Sequence, residues 1–303
     1  MKFKFTRFLS LFCVAFTAPL FSAAQNLSSK PEIAIAFPKT YNRLETTKLY
    51  GPYMAHLAAC AKVDLVNLRA ENIVQRPDSI DLLTERELLE HLQSGKLQIA
   101  QLTSGLVPVA VETNSATPFA TRGSASTGKI ASYQLKLITR IDSGFTQPTD
   151  LIGKRIAHTT PGSNSGNLAP RAYFPKLGLQ PDKNYSVLYS QGHERSIMGV
   201  LHGFYDGAAV ASDQFQRMVT KGEIRASTFR TLWESESFPA EAFVMGKQTA
   251  SELAARLRKC TYDYRFHKDA IKLLDGSDRL LPISFEKDYA AVRYVLAQLN
   301  SKQ

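Results

Sequence analysis

The chain has 303 residues, of which 44% are hydrophobic and 21% are charged, with a formal net charge of +10. This composition excludes disordered, fibrous and multispan membrane proteins, and the length fits two lobes of common size. The basic residues are scattered and do not alternate with aromatic residues, so the charge indicates attraction of small anions, and we expect no nucleic acid partner.

The N-terminal segment 1–24 has the pattern of a secretory signal. Three basic residues precede an apolar run over 8–21, and three small residues end at Ala24, where we expect cleavage. An uncleaved membrane anchor is the alternative, but the run is short for a bilayer span and contains Pro19. Cleavage removes three basic residues and no acidic one, which leaves 34 basic against 27 acidic residues. The pattern predicts a soluble exported protein.

Strand-like and helix-like segments alternate in both halves of the remaining chain. In the first half, PEIAIAF, VDLVNL and LQIAQL are separated by predicted helices over 44–61 and 84–94. In the second half, KRIAH, YSVLYS and DGAAVA are separated by predicted helices over 166–177 and 194–202. This alternation predicts an α/β fold with two lobes, each a mostly parallel sheet flanked by helices.

Two segments are candidates for the passage between the lobes. One is 121–132, which is rich in Gly, Ser and Thr, and the other is 233–246. We expect one lobe over 25–138 and 240–303, the other over 139–239, and a hinge of two strands. Beyond the second passage, Thr249-Ala250-Ser251-Glu252 has the pattern of a capping box at a helix start.

The two cysteines that remain after signal cleavage are Cys60 and Cys260. Each lies on the apolar face of a predicted helix. They can be two buried thiols that behave as small hydrophobic residues, or they can form one long-range disulfide in an oxidising compartment. The residues alone leave both possibilities open.

Ligands of open α/β sheets bind beyond the carboxyl ends of the strands, where loops lead into helices. Polar residues occupy several such loops in this sequence. The candidate ligand-binding residues in the first lobe are Tyr41, Thr103 and Ser104. Those in the second lobe are Ser163, Asn164, Ser165, Gly166, His193, Glu194 and Asp213.

The stretch TTPGSNSGNLAP, residues 159–170, is the strongest of these candidates. Backbone amides at a helix start, with hydroxyls beside them, can hold an anion, although a simple helix cap by Ser163 or Ser165 is the more common use of such serines. Asn164 stands where a hydrolase nucleophile elbow requires serine. Asn167 stands where a nucleotide-binding P-loop requires lysine.

The remaining candidates also have ordinary alternatives. His193 and Glu194 can form an acid–base pair, but a glutamate that opens a helix more often compensates the helix dipole. Asp213 can be a helix cap. The six histidines have no spacing typical of metal ligands, so we expect neither a metal nor another cofactor.

Three segments together resemble the periplasmic phosphonate-, phosphite- and phosphate-binding components of ABC transporters. They are DLIGKRIAHTTPGSNSGNLAPRAYF, GVLHGFYDGAAVASD with His193-Glu194 upstream, and LPISFEKDYAAVRYV. The resemblance implies a type II periplasmic-binding fold that closes on its ligand by hinge motion. It also implies a monomer without catalytic activity, which passes a small anionic solute to a permease in the membrane.

The resemblance assigns roles to most of the candidate residues. It implies that Ser163, Asn164 and Ser165 give hydroxyls and amides to the phosphonate oxygens. The positions of His193, Glu194 and Asp213 approach the ligand, where a carboxylate can pair with the amino group of an aminoalkylphosphonate. Tyr41, Thr103 and Ser104 match first-lobe positions of the family, whereas residues 105–108, Gly-Leu-Val-Pro, depart from its commoner aromatic pattern.

Three other functions fit the same sequence. The same fold can bind a different solute, such as a sulfonate, a thiamine precursor or a carboxylate. It can also report to a receptor as a sensor. An enzyme on a related two-lobed fold is the third possibility, and it would require a nucleophile or a cofactor lysine in the cleft.

Overall fold

The computed structural model describes residues 30–39, 42–68 and 80–301, so the predicted signal segment and Tyr41 lie outside the described residues. The strands are, in chain order, β1 (Glu32–Ile33), β2 (Ile35–Pro38), β3 (Asp64–Leu65), β4 (Asp81–Leu83), β5 (Ile99–Leu102), β6 (Ala116–Ser124), β7 (Lys129–Ile130), β8 (Ser132–Arg140), β9 (Arg155–His158), β10 (Ser186–Tyr189), β11 (Gly207–Ala211), β12 (Phe229–Pro239), β13 (Ala242–Gly246) and β14 (Arg279–Pro282). The α-helices are α1 (Arg43–Ala61), α2 (Glu85–Gln93), α3 (Leu106–Glu112), α4 (Ala169–Tyr173), α5 (His193–Leu201), α6 (Ser212–Thr220), α7 (Ser251–Asp263), α8 (Lys268–Leu273), α9 (Phe285–Asp288) and α10 (Ala290–Asn300). Within the described ranges, each helix is too short or too polar to cross a membrane.

Two sheets define two lobes. The larger sheet, which we call the first lobe together with its helices, has the strand order β14-β6-β13-β5-β2-β4, with β7 paired to β6. The smaller sheet, the basis of the second lobe, has the order β10-β9-β11-β8-β12. The predicted two-lobed α/β fold is confirmed.

Both sheets are mixed rather than mostly parallel. Strand β2 runs parallel to β4 and β5, and β9 runs parallel to β10 and β11, whereas the other pairings within these sheets are antiparallel. The antiparallel pairings involve the strands next to the interlobe passages, which are β6, β8, β12 and β13. These strands run in the direction opposite to that of their neighbours. The alternating strand–helix pattern of the sequence predicts only the parallel part.

The chain changes sheet twice, and the two passages are adjacent. The first passage is residue 131, between β7 and β8, and the second is 240–241, between β12 and β13. The Ala240 amide donates a hydrogen bond to the Ala131 carbonyl at 3.0 Å, so the passages form one two-strand connection. The sequence-based lobe limits at 138/139 and 239/240 stay a proposal.

Local capping explains where the first two helices begin. Asn42 Oδ1 accepts a hydrogen bond from the Glu45 amide at 3.1 Å at the start of α1. At the start of α2, Thr84 and Glu87 form a reciprocal capping box. The capping box predicted at Thr249 is wrong, because α7 begins after Ala250 without a side-chain cap.

The predicted helix over 166–177 is divided into three pieces. A π-helical turn over Asn164–Leu168 leads into α4, and a 3-10 turn over Phe174–Leu177 follows it. Pro175 lacks the amide that would continue the α-helical hydrogen bonds, which accounts for the change at this point. The helices predicted over 44–61, 84–94 and 194–202 lie within two residues of α1, α2 and α5.

Three groups of buried apolar residues form the core. One packs the outer face of the larger sheet against α1 and α7. Another packs β9 and β11 against α5 and α6 in the second lobe. The third continues from one lobe to the other through Tyr133, Phe238 and Tyr289.

Helices α1 and α7 are joined covalently. The sulfur atoms of Cys60 and Cys260 are bonded, with their Cα atoms 5.8 Å apart. The bond therefore connects the beginning and the end of the first lobe across 200 residues of sequence.

Candidate functional site

A cavity of about 310 Å³ lies between the two lobes. Its wall is built by the loops that follow β2, β5, β9, β10 and β11, as the strand-end rule predicts. The predicted candidates on this wall are Thr103, Ser104, Ser163, Asn164, Ser165, His193, Glu194 and Asp213. The structure therefore brings together residues that are as much as 110 positions apart in the sequence.

The turn after β9 contributes several polar residues to the wall. Ser163 precedes the π-helical turn, and its hydroxyl accepts a hydrogen bond from the Gly166 amide at 3.1 Å. Ser163 is therefore a helix cap and also a wall residue of the cavity, so the two interpretations of this stretch are compatible.

Gly166 lies behind the wall rather than on it. Its amide is engaged by Ser163, and its carbonyl accepts from the Thr159 amide at 3.1 Å. A Cβ at this position would lie 1.8 Å from Thr159 Oγ1, so only glycine fits. The structure gives Gly166 a packing role beneath the turn, and its contact with a ligand stays a prediction.

Tyr133, on β8, connects this turn to the first lobe. Asn164 Nδ2 donates to the Tyr133 hydroxyl at 3.1 Å, while Asn164 Oδ1 is buried without a partner. Burial raises the pKa of the Tyr133 phenol, and hydrogen bonds with Asn164, Ser104 and Ser165 lower it by less. The phenol is therefore protonated at neutral pH and can donate a hydrogen bond into the cavity.

Thr103 and Ser104 form the facing wall. Thr103 Oγ1 is buried and has no hydrogen-bond partner, so it is available to a ligand. The Ser104 hydroxyl donates to the Pro239 carbonyl at 2.5 Å, next to the passage between the lobes. Ser104 can still accept a hydrogen bond, but its proton is used within the protein.

His193 begins α5 and is neutral. Its Nδ1 atom accepts a hydrogen bond from the Ala211 amide at 3.2 Å, which places the proton of the neutral ring on Nε2. Burial lowers the pKa of His193 to about 4, against a smaller opposite effect of Asp213. The ring therefore offers an uncharged N–H donor at neutral pH.

Glu194, the next residue, keeps a free carboxylate edge. Its side chain is 41% exposed, and its closest cation is Lys221, with Nζ at 3.9 Å from Oε1. Burial raises the pKa of Glu194, and Lys221 lowers it by less. Of the two predicted carboxylates, this is the one that can meet a cationic group of a ligand.

Asp213, the other predicted carboxylate, is already paired. Arg122 Nη2 lies 2.5 Å from Asp213 Oδ2, and Arg217 Nη2 lies 3.8 Å from the same atom. Asp213 Oδ1 accepts from the Gln214 amide at 2.9 Å. Asp213 therefore lines the cavity with its charge already compensated by Arg122, and its contact with a ligand amino group stays a prediction.

Sequence reasoning missed several wall residues and the cation behind them. The missed wall residues include Glu45, Tyr133, Arg217 and Glu241, whereas Thr159 and Thr160 belong to the predicted stretch 159–170. Arg122 lies on β6, within the segment 121–132, whose Gly, Ser and Thr content predicts a passage between the lobes. An isolated arginine between apolar residues and glycine in PFATRG is the signal that could have indicated a buried ion pair.

The charges on the wall nearly balance. The carboxylates are those of Glu45, Glu194, Asp213 and Glu241, and the cations are those of Lys39, Arg195 and Arg217. The turn after β9 and the facing wall instead offer neutral donors: hydroxyls, amides, a phenol and a neutral imidazole. In the described part of the chain, no group of three or more His, Cys, Asp or Glu side chains is arranged to hold a metal ion.

Comparisons with known proteins agree with this architecture. A family model for the periplasmic substrate-binding protein of phosphonate ABC transporters matches residues 82–289. The phosphate-import protein PhnD of Mycolicibacterium smegmatis is 26% identical over 140 residues, which are 43% of this chain and 44% of that protein. The match thus spans less than half the length of this curated relative.

Solved structures show the same fold at low sequence identity. A binding-protein component of an ABC phosphonate transporter from Pseudomonas aeruginosa aligns with a TM-score of 0.74 at 17% identity, covering 90% of this chain and 88% of that chain. PhnD1 from Prochlorococcus marinus, in complex with methylphosphonate, aligns with a TM-score of 0.71 at 15% identity, covering 89% of this chain and 98% of that chain. These neighbours are two-lobed type II periplasmic binding proteins.

Proposed function

Because this chain belongs to the family of periplasmic substrate-binding proteins of phosphonate ABC transporters, we propose that it captures a tetrahedral phosphorus oxyanion between its lobes. The ligand class is phosphonate, phosphite or phosphate. The closed, loaded protein then delivers the anion to the permease of an ABC transporter. The N-terminal signal of the sequence sends the chain to the periplasm and is cleaved there.

The observation that carries this proposal is the convergence of neutral hydrogen-bond donors on one cavity. Ser163, Asn164 and Ser165 line it from the second lobe, and Thr103 faces them from the first. Tyr133 and His193 add a protonated phenol and a neutral ring N–H. A phosphorus oxyanion has several acceptor oxygens at tetrahedral angles, so donors from several directions can satisfy it.

Binding and closure are coupled in this account. The donors belong to both lobes, so an anion makes its full set of hydrogen bonds only when the lobes meet. Such a ligand stabilises the closed state by its differential contacts. The protein performs no chemistry on the ligand, and we propose that it works as a monomer without a cofactor.

The Glu194 carboxylate, near the donors, selects the rest of the ligand. It is partly free, whereas Glu45 is already paired with Lys221 at 2.5 Å and lies 3.6 Å from Arg217. A cationic substituent, such as the ammonium of an aminoalkylphosphonate, can pair with Glu194. A substituent that is itself anionic meets repulsion there.

A thermal-shift panel tests this function on the mature protein. The panel consists of methylphosphonate, 2-aminoethylphosphonate, phosphite and phosphate. Sulfate and an alkylsulfonate represent the alternative class of ligand, the sulfur oxyanions. Bound ligand raises the midpoint of unfolding according to its concentration relative to Kd. A shift with at least one phosphorus anion is expected, and a shift with only the sulfur anions would indicate a sulfonate-binding protein instead.

A further inference from the structure

Glu85 joins the two lobes beside the cavity. It is the first residue of α2 in the first lobe, and its carboxylate accepts two hydrogen bonds from the second lobe. Thr160 Oγ1 donates to Oε1 at 2.7 Å, and the Gly162 amide donates to Oε2 at 3.1 Å. The Glu85 carboxylate of the first lobe is thus hydrogen-bonded to the turn that leads into Ser163.

A side chain at Gly162 would displace the Glu85 carboxylate from its present position. A Cβ on Gly162 would lie 2.4 Å from Glu85 Oε2 and 2.9 Å from its Cδ. The φ angle of Gly162 is outside the left-handed region, so its backbone would accept alanine. Glycine at this position is therefore needed for the contact with Glu85, which comes from the other lobe, and not for the local fold.

Gly105 makes a second close approach of the same kind. It precedes α3 in the first lobe, and a Cβ there would lie 2.3 Å from the Gly162 carbonyl oxygen and 3.0 Å from the Asn164 amide nitrogen. These are backbone atoms of the anion-binding turn, which cannot move aside as a flexible side chain can. Two glycines, one on each lobe, thus allow the lobes to meet at this turn.

The turn that Glu85 contacts, residues 160–162, leads directly into Ser163, Asn164 and Ser165 on the cavity wall. The Ser163 amide donates to the Thr160 carbonyl at 3.1 Å, and Ser163 is the cap of the π-helical turn that carries Asn164 and Ser165. A change in the position of Thr160 or Gly162 therefore changes the direction of the donors that follow.

We propose that Glu85 is a positioning residue that couples lobe closure to the shape of the anion-binding turn. Its carboxylate reaches Thr160 and Gly162 only when the lobes are closed, and it then holds the turn in its binding geometry. We call this contact of Glu85 with Thr160 and Gly162 the latch. Because the latch resists opening of the lobes, it acts mainly on the dissociation rate of a bound anion. The inference rests on the proposed function, in which the anion binds between the lobes.

The test combines four variants with two measurements. The variants are Glu85→Ala, Gly162→Ala, the double variant Gly162→Ala/Glu85→Ala, and Glu90→Ala as the matched control. Glu90 is on the same helix, but its side chain is 63% exposed and paired only with Arg86 in the described structure. Stopped-flow binding of methylphosphonate gives the association and dissociation rates, and small-angle X-ray scattering gives the radius of gyration with and without the anion.

The latch predicts a pattern that simple loss of stability does not produce. Glu85→Ala and Gly162→Ala should each weaken binding by about tenfold or more, with most of the change in the dissociation rate. The double variant should bind no more weakly than Glu85→Ala, because the added methyl group no longer meets a carboxylate. Glu90→Ala should bind as the wild type does.

Other outcomes decide against the latch or against the proposed function separately. Wild-type affinity in Gly162→Ala, or additive losses in the double variant, would overturn the latch. If no phosphorus anion binds the wild type, the proposed function fails. The scattering of the ligand-free proteins still tests the latch in that case. A larger radius of gyration for Gly162→Ala than for the wild type supports the latch, and equal radii overturn it.

Discussion

The guanidinium of Arg122 and the carboxylate of Asp213 lie 2.5 Å apart, and each comes from a different lobe. Both side chains are almost completely buried, with exposed fractions of 1% and 6%. Arg122 Nε also donates to Glu241 Oε1 at 3.1 Å. Although burial opposes its charge, Glu241 and Asp213 raise the pKa of Arg122, so the cation is permanent.

Removal of this cation should destabilise the protein strongly. Arg122→Met keeps the length of the side chain but leaves Asp213 and Glu241 without their close partner, and breaking a buried ion pair on one side costs about 3–5 kcal/mol in the free energy of unfolding. Urea denaturation measures the change. Arg86→Met, at an exposed pair with Glu90, should leave the denaturation midpoint unchanged. Equal midpoints for the two variants would contradict the structural role of Arg122.

Loss of the Tyr133 hydroxyl should weaken ligand binding without unfolding the protein. In Tyr133→Phe, Asn164 Nδ2 loses its acceptor and the cavity loses a donor, so we expect about tenfold weaker binding of the best phosphorus anion. Titration calorimetry measures the affinity. Tyr294→Phe, which removes a hydroxyl from an exposed ring on α10, is the matched control and should bind normally. The same affinity in both variants would exclude Tyr133 from the binding site.

Two buried histidines should make stability depend on pH. Burial lowers the pKa of His158 and of His193 from 6.5 to about 4. Between pH 6.5 and 4, the unfolded chain takes up protons that the folded chain does not, so the free energy of unfolding falls as the pH falls. Each histidine contributes roughly 1.4 kcal/mol per pH unit within this window, and nothing further below it.

Urea denaturation at pH 7 and pH 5 measures this dependence. His193→Gln removes one titrating group while its side-chain oxygen can still accept from the Ala211 amide. The variant should therefore lose less stability than the wild type between the two pH values. An identical loss in both proteins would show that His193 is not held neutral by burial.

The disulfide should contribute a large part of the stability. Cys60 and Cys260 are 200 residues apart, and in the chain-entropy account a crosslink of this length restricts the unfolded chain by about 5 kcal/mol. Cys60→Ala/Cys260→Ala should therefore unfold at much lower urea concentration than the wild type. A reducing agent should lower the wild-type midpoint to the same value and leave the variant unchanged. A wild-type midpoint that is insensitive to reduction would contradict this contribution.

The sequence predicts the part of the site that follows a local rule. Strands that end in polar loops identify Ser163, Asn164, Ser165 and His193, because the carboxyl ends of neighbouring parallel strands meet at one edge of a sheet. Helix limits also follow local signals, as at Thr84, where the capping box fixes the start of α2. These signals act over a few residues, so no knowledge of the partner segments is needed.

The rest of the site depends on contacts between distant segments. Arg122 and Asp213 are 91 residues apart, and Glu85 and Gly162 are 77 residues apart. Neither residue of such a pair has a local pattern that indicates its partner. The antiparallel strands beside the lobe passages were missed for the same reason, since their pairing is fixed by the return of the chain and not by hydrophobic periodicity.

Titration calorimetry of Ser165→Ala with the phosphorus anion that binds best tests the central claim most directly. Ser251→Ala, which removes an exposed hydroxyl from the start of α7, is the matched control. A hydrogen bond to a charged group contributes about 1.5–3 kcal/mol, so Ser165→Ala should bind at least about tenfold more weakly than the wild type and the control. Equal affinities for all three proteins would contradict the assignment of the turn after β9 as the anion-binding site.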